Sequence, residues 1–476
     1  MIKKTDQAII QGHLEDSSNL TGAYADGLYL PESAADAATA VKECTAKKTP
    51  LTIVGGATGT TGGCLPFGGW LLATEKLNRI ITLDEGNKFA IVEPGVTLDE
   101  IEAAVKPMGL LYPPDPTEKT ATIGGNVATN ASGGRGYRFG ATRDWIRRLK
   151  VILPSGEILN VSGGEKIKSV IPKSAIPIPH YLMPPTKNTA GYFAKPEMDL
   201  VDLFIGAEGT LGIVTEIEIA LMPAMKETFD LVAFFPSEDK AVDFVFQARK
   251  QNDTTINFFE FFDANTLQML KNSYPHIPEN AKAAVYIEQE ITEDNKNGYL
   301  DFWAKLLKQF HASLDNCWLG IELDQKAELA KFRHAIPEHI NELFKQNHLV
   351  KLATDIAVPT DKFREMFNFY NSELITPNSE LFSIKFGHIG ENHLHVNLLP
   401  KTEEQKKLAD DLIMRFVKKA VSLGGTVSAE HGIGKIKHQY LREMYGPQGI
   451  KEMIDVKKHF DPNLILNRNN IFPFVP

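Results

Sequence analysis

The first half of the chain alternates short apolar runs with glycine turns. PLTIVGG (50–56) and KFAIVEPG (88–95) are rich in β-branched and apolar residues and end in glycine, the pattern of strands entering turns. LDEIEAAVKPMG (98–109) places Leu98, Ile101 and Val105 on one stripe, which predicts a helix ended by Gly109. RRLKVILPSGEILNV (147–161) alternates on both sides of Pro154-Ser155-Gly156 and predicts a hairpin. Further on, FIGAEGTLGIVTEIEIAL ends with β-branched residues alternating with Glu216 and Glu218, a strand with one polar face.

Past Met222-Pro223 the pattern changes to longer helical periods between strands, with fewer glycines. AVDFVFQARKQ (241–251), GYLDFWAKLLKQF (298–310) and TEEQKKLADDLIMRFVKKAVSLGG (402–425) predict helices. The last carries Leu408, Leu412, Phe416 and Ala420 at i, i+4 spacing and stops at Gly424-Gly425. KAAVYIEQE (282–290) and LFSIKFGHI (381–389) predict strands among them. The whole reads as α+β in two main parts, with a boundary near residue 223.

At 476 residues, 43% hydrophobic and 23% charged, the composition is that of a folded protein of two or three domains. A net charge of −9 speaks against a nucleic-acid partner, which would select a basic face. Cys44, Cys64 and Cys317 are too scattered for a disulfide framework and suit a reducing compartment. MIKKTDQAIIQGHLEDSSNL lacks the apolar core of a signal peptide, and no run reaches the roughly 20 apolar residues of a membrane span. A cytoplasmic protein is expected. VIPKSAIPIPHYLMPP (170–185), broken by five prolines, is either a loop packed on its own domain or a docking patch for a partner protein or the inner face of a membrane.

Three glycine-rich stretches stand out in the first half: IVGGATGTTGG (53–63), PPDPTEKTATIGGNVATNASGG (113–134) and GAEGTLGIVTE (206–216). Backbone without side chains lets N–H groups approach a phosphate and form an anion nest. Neither a P-loop ending nor GxGxxG is present. Together the three stretches predict a large nucleotide cofactor.

The second half holds the densest chemistry. GHIGENHLHVN (387–397) and AEHGIGK (429–435) bring His388, His393, His395, Glu430 and His431 into two short windows. Imidazoles and a carboxylate suit Zn²⁺ or Mn²⁺, and a remaining histidine can move protons. Strand periodicity puts His393, His395 and Asn397 on one face. In an extended AEHG the adjacent side chains of Glu430 and His431 point apart, one toward a metal and one left as a general base. A hydrolytic metallosite is a competing use of such a cluster.

VGGATGTTGG, VEPGV, the P-D-P…TIGGNVATNASGG run and FIGAEGTLGIVTEI match, in order and spacing, the FAD-binding domain of the vanillyl-alcohol oxidase family. The second half resembles that of the D-lactate, glycolate and D-2-hydroxyglutarate dehydrogenases. The resemblance covers roughly residues 20–476. It implies a PCMH-type FAD-binding domain of two subdomains (1–222) and an α+β substrate or cap domain with a mostly antiparallel sheet (223–425). A C-terminal segment (426–476) would carry the catalytic histidine and return to the FAD domain. It also implies non-covalent FAD, its pyrophosphate on Val54, Gly55, Gly56, Ala57, Thr58, Gly59, Thr60, Thr61 and Gly62. Further contacts are implied for Pro114, Asp115, Thr122, Gly124, Gly125, Asn126, Thr129, Asn130 and Ala131, and for Glu208, Gly209, Gly212, Ile213 and Val214. The loop itself offers no His or Cys for a covalent link, and Cys64 lies just past it.

The family pattern G-H-x-G-D-G-N-x-H falls on residues 387–395. The resemblance thereby implies His388, His395 and Glu430 as metal ligands, His431 as base and Asn397 as a substrate contact. The chain departs from the pattern at Glu391, Asn392 and His393. That leaves open the turn's shape, and whether His393 is a ligand or a supporting group. KFRHAIPEHIN (331–341) places Arg333 before a proline-interrupted helix, where relatives have an arginine, and arginine binds carboxylates bidentately. Lys351, ahead of the predicted strand TDIAVP (354–359), is the second candidate. Pro337 stands where the hydroxyglutarate enzymes use a threonine, which counts against that substrate.

The implied reaction is oxidation of a D-2-hydroxy acid, D-lactate first and glycolate next, with electrons passed to a separate acceptor. No Cys-rich iron–sulfur motif is visible, so a quinone, an electron-transfer flavoprotein or an Fe–S subunit would serve. The alternatives are an alkylglycerone-phosphate-synthase-like transferase that uses FAD without net redox, and a metallohydrolase. A homodimer is compatible with each.

Overall fold

The computed structural model describes residues 1–167, 176–251, 253–346, 352–375 and 381–474. The chain divides into two compact units: Met1–Gly133 with Ala141–Ala224 and Val427–Pro476, and Gly134–Gly140 with Met225–Thr426.

In the first unit a four-stranded sheet runs in the order Ile2–Lys4, Gly27–Leu30, Trp70–Ala73, Leu51–Val54, its first pair antiparallel and the others parallel. Leu51 also bridges in parallel to Leu466, so the C-terminal segment joins this sheet's edge. A five-stranded antiparallel sheet runs Ile80–Asp84, Phe89–Val92, Ile213–Ala220, Ile146–Ile152, Ile158–Ser162. Its last two strands are the predicted hairpin, and Gly156 takes φ 80 in the turn. Ile213, Thr215, Ile217 and Ile219 are buried on one face of the central strand. On the other, Glu216 and Glu218 pair with Arg148 at 3.0 and 3.1 Å. The predicted helix Leu98–Val105 starts with a capping box of Thr97 and Glu100, and buries Leu98, Ile101 and Val105.

The C-terminal segment is held by a buried ion pair. Lys457 lies 2.6 Å from Asp461, with both residues almost fully inaccessible. The same ammonium donates to the carbonyls of Thr210 and Leu466, and Asp461 accepts from the Leu466 N–H. Burial lowers the Lys457 ammonium to about 8 against the pull of Asp461. In the proline-rich segment, residues 170–175 lie outside the described residues. The rest packs on the helical segment His438–Phe460, which kinks at Gly446: the His180 N–H donates to Glu452 at 2.6 Å, and the Tyr181 ring lies tilted with its centroid 4.2 Å from that of Tyr445. Among the described residues no helix is long and apolar enough to cross a membrane.

The second unit is built on a seven-stranded antiparallel sheet. Its order is Trp318–Gly320, Glu227–Phe235, Ala283–Ile291, Ile256–Asp263, Phe382–Gly387, His393–Leu399, Ile356–Ala357. Helix Glu403–Ser422, capped by Thr402, stops before Gly424 at φ 74. The helix expected to break at Pro337 instead runs through it, from Leu323 to Gln346. Phe332, Ile336 and Ile340 bury one stripe in a core with Phe258 and Phe262. That packing outweighs the single helical hydrogen bond the proline removes, the one to the Arg333 carbonyl. The strand expected over 354–359 shortens to Ile356–Ala357, because Pro359 has no N–H to offer a ladder. The short helix Gly136–Phe139 belongs to this unit, fixed by Arg135 on Glu288 at 2.8 Å and Arg138 on Glu290 at 2.7 Å.

Removing one partner of a buried pair leaves an uncompensated charge. Lys457→Ala should therefore lower unfolding stability by about 3–5 kcal/mol in chemical denaturation. A loss below about 1 kcal/mol, the range of an exposed pair, would contradict the structural role given to Lys457.

Candidate functional site

Strands Phe382–Gly387 and His393–Leu399 are joined by a single 3-10 turn, Ile389–Glu391. Asn392 closes it at φ 57, a left-handed position that asparagine tolerates better than most side chains. Arg249 donates to the Asn392 side-chain Oδ1 at 2.6 Å, and the Asn392 Nδ2 donates to Thr360 Oγ1 at 3.0 Å. Asn392 thus keeps the left-handed turn that a glycine would make. Gly387 has φ 124, and a Cβ there would lie 2.8 Å from the His395 ring. Only glycine lets that ring lie against the backbone.

The turn brings His388 back beside the strand that carries His393 and His395. Each offers a ring nitrogen, and these nitrogens lie within 4.8 Å of one another. The ring centroids are 4.5–5.5 Å apart, and all three residues are buried. Each ring also meets an oxygen behind it: Glu260 at 2.8 Å from His388 Nδ1, Asp355 at 3.1 Å from His393 Nε2, and the Thr354 carbonyl at 3.4 Å from His395 Nδ1. Thr354 and Asp355 are in place because 353–357 runs antiparallel beside His393–Leu399, with Ala353 opposite Asn397 and Ile356 opposite Leu394. Three imidazoles with oxygen acceptors behind them are a donor set that fits a divalent metal.

Glu260 has a second partner. Arg333, from helix Leu323–Gln346, places Nη2 2.8 Å from the same carboxylate oxygen that meets His388. Burial alone would raise the Glu260 carboxyl, but His388 and Arg333 outweigh it and hold it at about 2. Gly134 passes so close that a Cβ would meet the Arg333 guanidinium at 2.3 Å. Asn397 is fully buried, and both polar atoms of its amide lack a partner among the described residues. An amide left in that state suits a bound polar molecule. Lys351 lies outside the described residues.

In the first unit Glu430 and His431 sit in a bend, not an extended run. Their side chains therefore do not diverge as expected: Glu430 Oε1 is 3.6 Å from His431 Nε2. Lys187 and Ser132 meet the other Glu430 oxygen at 3.0 and 3.2 Å. Glu208 holds the bend, its carboxylate accepting from the N–H groups of Ile433 at 2.7 Å and Gly434 at 2.8 Å. Burial raises the Glu208 carboxyl above its usual range, and those two amides oppose the rise. A Cβ on Gly434 would meet the Thr61 carbonyl at 2.1 Å, so the bend presses directly on the loop 55–62.

That loop follows strand Leu51–Val54. The Gly56 N–H donates to Thr122 Oγ1 at 3.3 Å, whereas the N–H groups of Ala57, Thr58, Gly59 and Thr60 meet no acceptor among the described residues. Ala57 and Gly62 take positive φ, and the space beside Gly59 is open. Four adjacent unspent donors form an anion nest that fits a pyrophosphate. Thr122 caps helix Ile123–Thr129, where Asn126 is buried with its Nδ2 unpartnered among the described residues. Asn130 accepts from the Arg143 N–H, Ala131 from Thr142, and Thr129 donates to the Gly125 carbonyl. Pro114 is buried, and Asp115 pairs with Lys119. Gly124, Gly209 and Gly212 are packing positions, where a Cβ would meet Pro94, Asn467 and Val151. Ile213 lies in the core and Val214 is half-buried. The unspent backbone donors of residues 57–60 fit the phosphates of FAD, whereas Gly124, Gly209, Gly212 and Ile213 serve packing.

Glu260, Asp355 and Lys187 escape sequence reasoning. Glu260 left a trace: in FFEFFD it is one charge inside an aromatic run, and a strand that buries such a run must pair the carboxylate. Asp355 and Lys187 carry no such mark.

A model of the family described as FAD linked oxidases, C-terminal domain, matches residues 225–471, and one of the FAD binding domain matches residues 25–162. The D-lactate dehydrogenase of Anaerostipes hadrus is 30% identical over 448 residues, covering 92% of this chain and 88% of that protein. The glycolate oxidase subunit GlcD of Bacillus subtilis (strain 168) is 31% identical over 459 residues, covering 94% and 89%. Among solved structures, 4-ethylphenol oxidase from Gulosibacter chungangensis superimposes with a TM-score of 0.72 at 17% identity, covering 99% of this chain and 94% of that one. At that identity the likeness speaks for the α+β, PCMH-type fold alone. With the nest, the glycine packing and both family matches in hand, the chain belongs to the FAD-linked oxidases, an oxidoreductase related to the D-lactate and glycolate dehydrogenases.

Proposed function

We propose that the chain oxidises a small D-2-hydroxy acid, D-lactate in the first place, to the 2-oxo acid. When bound, FAD supplies the hydride acceptor, and a divalent metal, zinc or manganese, supplies the charge that acidifies the substrate hydroxyl. The observation that carries this proposal is Glu260, one oxygen of which lies 2.8 Å from both Arg333 and His388. A 2-hydroxy acid bears its carboxylate and hydroxyl on neighbouring carbons. It therefore needs a carboxylate-binding cation and a metal-binding histidine held equally close together. Arg333 would bind the substrate carboxylate, for which a guanidinium fork is suited. His388, His395 and Glu430 would hold the metal, Asn397 would hydrogen-bond the substrate, and His431 would take the hydroxyl proton.

Pro337 lies one helical turn from Arg333 and offers no hydroxyl to a second carboxylate, which favours a short acid. Burial pushes the Cys64 thiol up to about 12, beside Asp16, so it is a poor nucleophile for a covalent flavin link, and FAD is held non-covalently. The electrons go on to a separate acceptor, a quinone, an electron-transfer flavoprotein or an iron–sulfur partner. The protein works in the cytoplasm, where docking at the inner face of a membrane would give access to a quinone.

His431→Gln should cut the rate of flavin reduction by D-lactate at least about 100-fold while FAD stays bound, as stopped-flow absorbance would show. Full-rate reduction in that variant would remove His431 as the base. Arg333→Lys keeps the charge and loses the fork. It should raise KM for D-lactate about 10–100-fold with a smaller change in kcat, and an unchanged KM would place the carboxylate elsewhere.

A further inference from the structure

His393 is the histidine that the proposed chemistry leaves without a task. It is fully inaccessible, and it faces Asp355, which is 2% exposed, at 3.1 Å through Nε2. Its ring centroid lies 4.5 Å from that of His395 and 5.3 Å from that of His388, and its donor nitrogen falls within 4.8 Å of theirs. Two zinc–nitrogen bonds of about 2.0–2.1 Å at a tetrahedral angle span roughly 3.4 Å, which a small rotation of these rings would reach. Burying a third imidazole among two others has little to recommend it as packing, because the ring is polar. As a ligand it makes sense of the Asp355 carboxylate. A carboxylate 3.1 Å from Nε2 favours the proton on that nitrogen and so the lone pair on Nδ1, as a carboxylate behind a metal-binding histidine does elsewhere. Glu260 plays the same part for His388.

We propose that His393 is a further protein ligand to the metal, oriented by Asp355, so that three histidines of one strand–turn–strand unit hold the ion. The proposal rests on the metal-assisted function above and adds to it. A three-imidazole set favours zinc over manganese, since nitrogen donors raise affinity along the series toward zinc. It also makes the site less dependent on Glu430, because three ligands already come from residues 388–395.

The test uses the full chain with FAD bound, stripped with chelator and reloaded with Zn²⁺. X-ray absorption at the zinc edge counts imidazoles in the unmodified protein, so no variant has to fold for the test to work. Three histidine shells are expected, and two would overturn the proposal. Competition with a chromophoric chelator then gives affinities. His393→Asn should weaken zinc binding at least 100-fold and Asp355→Asn about 10–100-fold, with flavin content unchanged. Glu430→Gln should still bind one zinc ion. An affinity in His393→Asn equal to that of the unmodified protein would overturn the proposal while leaving a two-histidine metal site standing. No zinc bound by the unmodified protein would remove the metal from the proposed function and this ligand with it.

Discussion

A single buried carboxylate organises the chemistry of the second unit. Glu260 is 2% exposed, yet stays ionised because His388 and Arg333 both lie 2.8 Å from one of its oxygens. Burying a lone carboxylate costs several kcal/mol, so each of the three groups depends on the other two. The arrangement also fixes geometry. Arg333 cannot swing on its long stem, and His388 cannot turn its ring, without stripping a buried charge of a partner. Preorganisation of this kind lowers the cost of ordering a small substrate.

Close backbone approaches set the rest. Gly387 lets the His395 ring lie on the chain, Gly134 clears the Arg333 guanidinium, and Gly434 lies against the loop 55–62. Glu208, from a glycine-rich stretch that looked purely cofactor-directed, spends its carboxylate on the bend after His431. The bend that carries His431 and the loop 55–62 thereby share a scaffold within the first unit. A disturbance at Glu208 should be felt at both.

Much of the fold was legible because its elements are local. Alternation in 213–220, the stripe of 98–105 and the Gly424 stop each follow from a residue's immediate neighbours. The histidine windows were legible as well, since the spacing of His393, His395 and Asn397 on a strand needs no tertiary knowledge. What was hidden is long-range or competitive. Pro337 looked like a helix break because local propensity cannot see Phe332, Ile336 and Ile340 packing on the sheet. Glu430 and His431 looked divergent because nothing in AEHG announces that Glu208 bends it. Asp355 reaches His393 only through the pairing of a short strand that proline nearly abolishes. Asn392, a departure from the expected pattern, proved to preserve the left-handed turn.

Metal-assisted oxidation of a D-2-hydroxy acid by bound flavin is the central claim, and one titration addresses it. The FAD-loaded protein is mixed anaerobically with D-lactate, L-lactate, glycolate and D-2-hydroxyglutarate while flavin absorbance is followed, before and after chelation and after zinc is restored. The account predicts bleaching by D-lactate and not by L-lactate, weak or no bleaching by D-2-hydroxyglutarate, loss of bleaching on chelation and recovery with zinc. Flavin that no D-2-hydroxy acid bleaches, or bleaching indifferent to the metal, would contradict it.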